Sequence, residues 1–217
     1  MPLLVSFEGI DGSGKTSLIK KLSEKFPNSF VTKEPRGTEL GKRVWQLANE
    51  SLENEKLTID SWSQFFLFAA AHNEHVKTVI KSQLAQGKMV LVDRYIDSTF
   101  VYQGLRENFP EEQKKIRVNL IKEAFQKFIN TPFPDLTFIL DLEPTKAQTR
   151  LSKREEVNNW DNLNLEFHHQ IRQGYLKLKE YFPQRNYYVI NADRSLKETV
   201  EEIYQIINSF QNQRTAV

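Results

Sequence analysis

One run of eight residues, Gly9-Ile10-Asp11-Gly12-Ser13-Gly14-Lys15-Thr16, restricts the folds open to this chain more than any other stretch. It has the spacing G-x-x-x-x-G-K-[ST], in which glycines let backbone N–H groups curl around an anion with no Cβ in the way. That spacing carries its meaning only between a strand and a helix. Both flanks comply. Leu3–Glu8 is an apolar run that reads as a buried strand, and Thr16-Ser17-Leu18-Ile19-Lys20-Lys21-Leu22 has helical apolar spacing. The context predicts a phosphate cradle made of Gly9, Ile10, Asp11, Gly12, Ser13, Gly14, Lys15, Thr16 and Ser17. Lys15 is expected to reach the β- and γ-phosphates of a nucleoside triphosphate, and the Thr16 hydroxyl to hold magnesium. A glycine-rich turn that matches by chance is the plainer alternative, and the flanking strand and helix argue against it.

Four more apolar strand candidates follow: Phe30–Thr32, Met89–Val92, Leu136–Leu140 and Tyr187–Ile190. Helical patterns fill the intervals, at Leu40–Ala48, about Ile59–Leu84, about Glu111–Ile129, Leu165–Tyr181 and Leu196–Phe210. Alternation of this kind predicts an α/β fold, a five-stranded parallel sheet of the P-loop NTPase type with helices on both faces. Ligands are then expected at the carboxyl ends of the strands. The segment Leu151–Asn164 is polar and charged, and it reads either as a solvated loop or as a mobile lid of about residues 150–164. No repeat or linker divides the 217 residues, which suit one domain.

Two further clusters fall at strand ends. Asp93 and Arg94 close the third strand, where an aspartate can hold magnesium and an arginine can meet a phosphate bidentately. Lys33-Glu34-Pro35-Arg36 follows the second strand and supplies cations on a rigid turn near a second-substrate position. An ordinary ion pair and a surface turn are the simpler accounts of these two clusters. On the long helix Phe68 and His72 stand four apart, so they share a face that could offer a stacking ring and a hydrogen-bonding group to a base.

Charge and cysteine content exclude several classes. With 30 basic and 28 acidic residues the net charge is only +2, so no broad field for nucleic acid or a membrane surface exists. There is no cysteine, hence no disulfide, thiolate metal site or cysteine nucleophile. No apolar run approaches a membrane span, and no basic segment with an apolar core precedes the first strand. The expectation is a cytoplasmic enzyme.

The loop Phe7–Thr16, the turn Lys33-Glu34-Pro35-Arg36-Gly37-Thr38 and the run Asp93-Arg94-Tyr95-Ile96-Asp97-Ser98-Thr99-Phe100-Val101-Tyr102-Gln103-Gly104 together resemble bacterial thymidylate kinases, as does Leu165–Leu176. The resemblance covers nearly the whole chain in order. It implies phosphoryl transfer from ATP with Mg2+ to dTMP, giving dTDP, in a homodimer without nucleic-acid or membrane partners. It further implies that Asp11 contacts the sugar 3′-hydroxyl or a magnesium-bound water, that Arg94 clamps the acceptor phosphate and that Phe68 stacks on thymine. Ser98, Thr99 and Gln103 would bond around the base, and Tyr102 would crowd the 2′ position. With Ser13 where some members have an arginine, the catalytic cations are expected from the lid, as Arg150, Lys153 or Arg154.

Several positions depart from the family pattern. His72 stands where an arginine usually donates to the thymine carbonyl, and is expected to keep that role through a single N–H. Trp45 stands where many bacterial members have arginine, and Arg36 where glycine is usual. The lid pattern Asp-Arg-x-Glu reads Asn158-Asn159-Trp160-Asp161. These changes leave open a broader deoxynucleoside monophosphate kinase. A nucleotide-binding regulatory protein is the alternative outside enzymes, against which Lys15, Thr16, Asp93 and Arg94 all stand.

Overall fold

The structure is a computed structural model that describes residues 2–105, 109–153, 159–161 and 163–215. Five strands, β1 (Leu4–Glu8), β2 (Ser29–Lys33), β3 (Met89–Asp93), β4 (Leu136–Asp141) and β5 (Tyr187–Asn191), form one parallel sheet in the order β2-β3-β1-β4-β5. Every residue of β1 and β3 is buried, which requires helices over both faces. The order reverses at β1, so the crevice at its carboxyl end is the place for a ligand. All five anticipated strands are present; β1 starts one residue later than its apolar run, and the other four are longer than theirs by one or two residues.

The helices are α1 (Lys15–Lys25), α2 (Glu39–Glu50), α3 (Ser61–His75), α4 (Lys81–Ala85), α5 (Ile96–Thr99), α6 (Glu111–Glu123), α7 (Pro144–Leu151), α8 (Leu165–Tyr181) and α9 (Leu196–Thr215). Side-chain caps set four of their starts, the last at α9, where Ser195 Oγ accepts from Glu198 N. Thr38 accepts from Gly41 N, Asp60 from Trp62 N and Ser63 N, and Asn164 from Phe167 N. The long pattern from about Ile59 is continuous helix, with a π-helical segment, Val76–Ile80, joining α3 to α4. Similar π-helical segments, Phe100–Gly104 and Ala124–Ile129, extend α5 and α6.

Two helices lie outside the sequence expectation. In Ile96–Gly104 seven of nine residues are buried, so no polar stripe marks a helical period. The eight residues of α7, begun by Pro144, are too few to show one. Among the described residues no helix is long and apolar enough to cross a membrane.

Buried polar groups fix α5 to the sheet. The Arg185 guanidinium, just before β5, donates to both Asp97 carboxylate oxygens at 2.6 and 2.7 Å and to Thr137 Oγ1 at 3.1 Å. Tyr187 donates its hydroxyl to Asp97 Oδ1 at 2.7 Å, and Thr137 bonds Ser6 across β4 and β1. Asp97 and Arg185 are both shut off from solvent. Removing one partner of such a pair strands the other charge inside the protein. Asp97→Ala is therefore expected to lose roughly 3–5 kcal/mol in urea unfolding, and a loss below about 1 kcal/mol would show that the pair does not hold α5.

Candidate active site

The loop after β1 wraps the amino end of α1 as the motif requires. Gly12, with φ +81°, lies so close to α7 that a Cβ there would sit 2.6 Å from the Ala147 carbonyl oxygen. Lys15 is buried and donates its ammonium to Gly9 O at 3.0 Å and Ile10 O at 2.9 Å. Burial and the neighbouring Arg94 lower its pKa to about 7. Beside it Thr16 Oγ1 donates to Asp93 Oδ2 at 2.6 Å, and Lys33 Nζ donates to the same oxygen at 2.9 Å. Burial alone would raise the Asp93 pKa, yet Lys33 and Lys15 hold it below its ordinary value. The other carboxylate oxygen, Oδ1, is buried without a hydrogen-bond partner among the described residues.

A cavity opens next to this loop. Asp11, Lys33, Arg36 and Arg94 bring charge to it, and Phe68, Tyr95 and Tyr102 bring rings. Glu34, Pro35, Ser98, Thr99 and Gln103 complete the expected acceptor residues in its lining, joined by Trp45 and Trp160. Arg94 occupies the left-handed region at φ +65°, which few non-glycine residues adopt. The conformation goes with a guanidinium that donates to Asp11 Oδ1 at 2.9 Å and to the Tyr175 hydroxyl at 2.8 Å. Burial pushes Asp11 up, but Arg94 and Lys15 overrule it and hold the carboxyl well below the usual range. Arg36 stacks on Trp45, with 4.6 Å from its guanidinium carbon to the ring centroid.

Glu8 and Tyr175 do not line the cavity but hold residues that do, and the sequence reading missed both. Glu8 is wholly buried at the end of β1, accepting from Tyr95 N at 2.8 Å and from Ser98 Oγ at 2.7 Å. Ser98 also bonds Tyr175 at 2.8 Å, so its hydroxyl is engaged by the scaffold rather than held for a base. Burial, then the charge of Asp97, raises the Glu8 pKa to about 8. A lone charged residue in a buried strand is the signal that could have found it; Tyr175 carries no such mark.

His72 departs from its expected role. It does not line the cavity; it is buried, with Nδ1 2.9 Å from Glu34 Oε1 and Nε2 3.0 Å from Thr131 Oγ1. His75 places Nδ1 2.8 Å from Glu34 Oε1 and Nε2 2.7 Å from Thr32 Oγ1. The turn after Glu34 closes over His75 so tightly that a Cβ on Gly37 would lie 2.5 Å from its Nε2. Glu34 and the short reach of imidazole together draw His72 inward, away from a base.

Of the three anticipated catalytic cations, Arg150 lies within α7 and not in a loop. One of its terminal nitrogens would be 3.9 Å from a Cβ on Gly14, and the other donates to Ala192 O at 2.9 Å. Lys153 is exposed beyond the end of that helix. Arg154 and, from the lid pattern, Asn158 lie outside the described residues.

The family profile described as thymidylate kinase matches residues 7–203. The chain belongs to the thymidylate kinase family. It is 33% identical over 212 residues to a thymidylate kinase of Limosilactobacillus fermentum, covering 94% of each chain. It is 35% identical over 211 residues to one of Staphylococcus epidermidis (95% and 98% covered), and 34% over 208 residues to a probable thymidylate kinase of Methanococcoides burtonii (95% and 96%). The parallel sheet with its flanking helices and P-loop is the fold this membership requires.

The Glu34 cluster gives a pH dependence with a definite sign. Burial would raise this carboxyl, but His72 and His75 lower it to about 2 from 4.5. A depressed acid stabilises the fold above its unfolded pKa, and that contribution, on the order of 3 kcal/mol, fades as pH falls from about 5 to about 2. The stability difference between the wild type and Glu34→Gln is expected to shrink across that window in urea melts, and a constant difference would refute the assignment. For His72→Ala the expectation is lower stability with unchanged preference among acceptor bases in a turnover assay. An altered preference would return His72 to the base site.

Proposed function

We propose that this chain transfers the terminal phosphoryl group of ATP to dTMP, giving dTDP, in deoxynucleotide synthesis. The observation that carries the reading is the single cavity in which Arg94, Lys33 and Arg36 meet Phe68 and Tyr102 beside the P-loop. Cations there suit an acceptor that already bears phosphate, and the rings suit a base and sugar. An oxygen of the acceptor phosphate attacks the γ-phosphorus while the bond to the β–γ bridging oxygen breaks, so no strong general base is needed. Backbone N–H groups of the loop and Lys15 would hold the donor, and Arg94 would hold the acceptor, each placing positive charge where negative charge develops. Arg150 is the described cation from the anticipated set that stands beside the P-loop.

Thr16 and Asp93 would hold Mg2+. Asp93 Oδ1, which has no hydrogen-bond partner among the described residues, fits that role. Magnesium takes one or two protein oxygens and fills its shell with phosphates and water, and when bound it neutralises charge on the transferred group. We read the chain as one nucleoside monophosphate kinase-like domain with a lid of about residues 150–164. It would work in the cytoplasm as a homodimer, without nucleic acid or membrane partners. Four exposed apolar side chains support the dimer: Phe66 on α3, Ile116 and Leu120 on α6, and Phe128 just beyond, with Phe128 83% exposed.

A broader acceptor range is the second reading, favoured by the inward turn of His72. It leaves the base edge to Thr99 and to Gln103, a buried amide with no side-chain hydrogen bond among the described residues. An amide can donate or accept, so it discriminates less than a fixed cation. ADP release with ATP and Mg2+ should be measured against dTMP, dUMP, dCMP, dGMP and dAMP in turn. Turnover with dTMP alone upholds the first reading, comparable rates with other acceptors the second, and no turnover with any of them defeats both. Lys15→Ala is expected to lower kcat by roughly a hundredfold or more.

A further inference from the structure

The cavity has an aromatic wall besides Phe68. Trp160 lines the cavity from the turn before α8 and is itself only 8% exposed. Two hydrogen bonds tie that turn to α2: Asn159 N donates to Asn49 Oδ1 and Asn159 Nδ2 donates to Asn49 O, both at 3.0 Å. The indole closes a triangle of rings. Its centroid is 5.9 Å from that of Tyr102, edge-on at 76°, and 6.3 Å from that of Phe167, while Tyr102 and Phe167 are 6.2 Å apart. Tyr102 also has the Arg94 guanidinium 5.5 Å from its ring.

Tyr102 therefore lies between the cation of the acceptor site and an aromatic pair from the chain around the start of α8. Edge-to-face rings hold one another in orientation as well as excluding water. Without the indole, the Tyr102 ring could swing into the space Trp160 fills, and the nucleoside side of the cavity would open. Helix α2 contributes to both ends of this arrangement: it carries Asn49, which ties down the turn, and Trp45, on which Arg36 stacks.

Resting on the acceptor site proposed above, we infer that Trp160 is a specificity-determining residue that touches the acceptor nucleoside and holds Tyr102 where a 2′-hydroxyl would collide with it. The selection would be for a 2′-deoxynucleoside monophosphate over its ribonucleotide counterpart. It uses shape alone, an apolar wall behind an aromatic ring, and no hydrogen bond to the sugar.

The protein's three tryptophans make the inference measurable in the full chain. Trp45 and Trp160 line the cavity, whereas Trp62 packs elsewhere, against Phe65 and Arg117. Intrinsic fluorescence is followed while dTMP is titrated into wild type, Trp160→Phe and Trp62→Phe. Wild type and Trp62→Phe should give the same change at saturation, and Trp160→Phe should lose at least about half of it. An undiminished change in Trp160→Phe overturns the inference, as does the absence of any change with every deoxynucleoside monophosphate tried.

Kinetics add a readout that mere packing would not move. Trp160→Ala should raise KM for dTMP about tenfold, with kcat and KM for ATP within about twofold, and Trp160→Phe should restore most of the loss. The ratio of kcat/KM for dTMP to that for its ribonucleotide counterpart should fall in Trp160→Ala and recover in Trp160→Phe. An unchanged ratio, or a parallel loss of kcat and of both KM values, overturns the inference. Should Trp160→Ala fail to fold by circular dichroism, the Trp160→Phe fluorescence decides. If wild type ignores dTMP but answers to another deoxynucleotide, the dTMP reading fails, and the same comparisons with that acceptor still test Trp160.

Discussion

The guanidinium of Arg94 joins three parts of the chain that are distant in sequence. It pairs with Asp11 in the phosphate loop, meets Tyr175 on α8, and through Tyr175 and Ser98 reaches Glu8 at the end of β1. Its backbone leaves β3 in a left-handed conformation that an arginine adopts at some cost. The surrounding contacts over-determine it. Asp11 and Glu8, two acids near one cation, are pushed in opposite directions: the first is charged because Arg94 is adjacent, the second is driven toward neutrality because burial and Asp97 outweigh that cation. Loop, acceptor cavity and sheet are coupled through this one side chain.

A second set of contacts explains how an altered acceptor wall keeps its shape. Glu34 lies on the cavity, and both histidines bond it from behind. The hydroxyls of Thr32 and Thr131 face the far ring nitrogens and can donate or accept as the tautomers require. Every polar atom in this buried group has a partner, so the group can be rigid without a compensating charge from the cavity. The change at position 72 is thus absorbed by the scaffold.

The sheet was legible in the sequence because each strand is a short apolar run with a helical pattern after it. The phosphate loop and the Asp93–Arg94 pair were legible because their chemistry is local. What escaped was decided by tertiary contact. Helix α5 with its extension is buried on nearly all sides and shows no amphipathic period, and α7 is too short to show one. His72 shares a helix face with Phe68, but facing a cavity and lining it are different things when an acid sits closer at hand. Tyr175 lies 81 residues from Arg94, and nothing in its neighbourhood in the chain announces the bond. Trp160 stands within the altered lid pattern, and its packing against Tyr102 and Phe167 is set by tertiary contact.

The seating of the phosphate loop on α7 bears on which sequences this fold can accept. In G-x-x-x-x-G-K-[ST] the fourth position is free, and nucleotide chemistry makes no demand there. Here that position is Gly12, and the Ala147 carbonyl occupies the space into which any side chain would grow. Even alanine would have to push α7 outward, and Arg150 is carried on that helix. A residue that the ligand leaves unconstrained is therefore fixed by a neighbour more than a hundred positions away. A survey of tolerated substitutions would find the loop stricter than its motif, for a reason that lies in the protein and not in the phosphate.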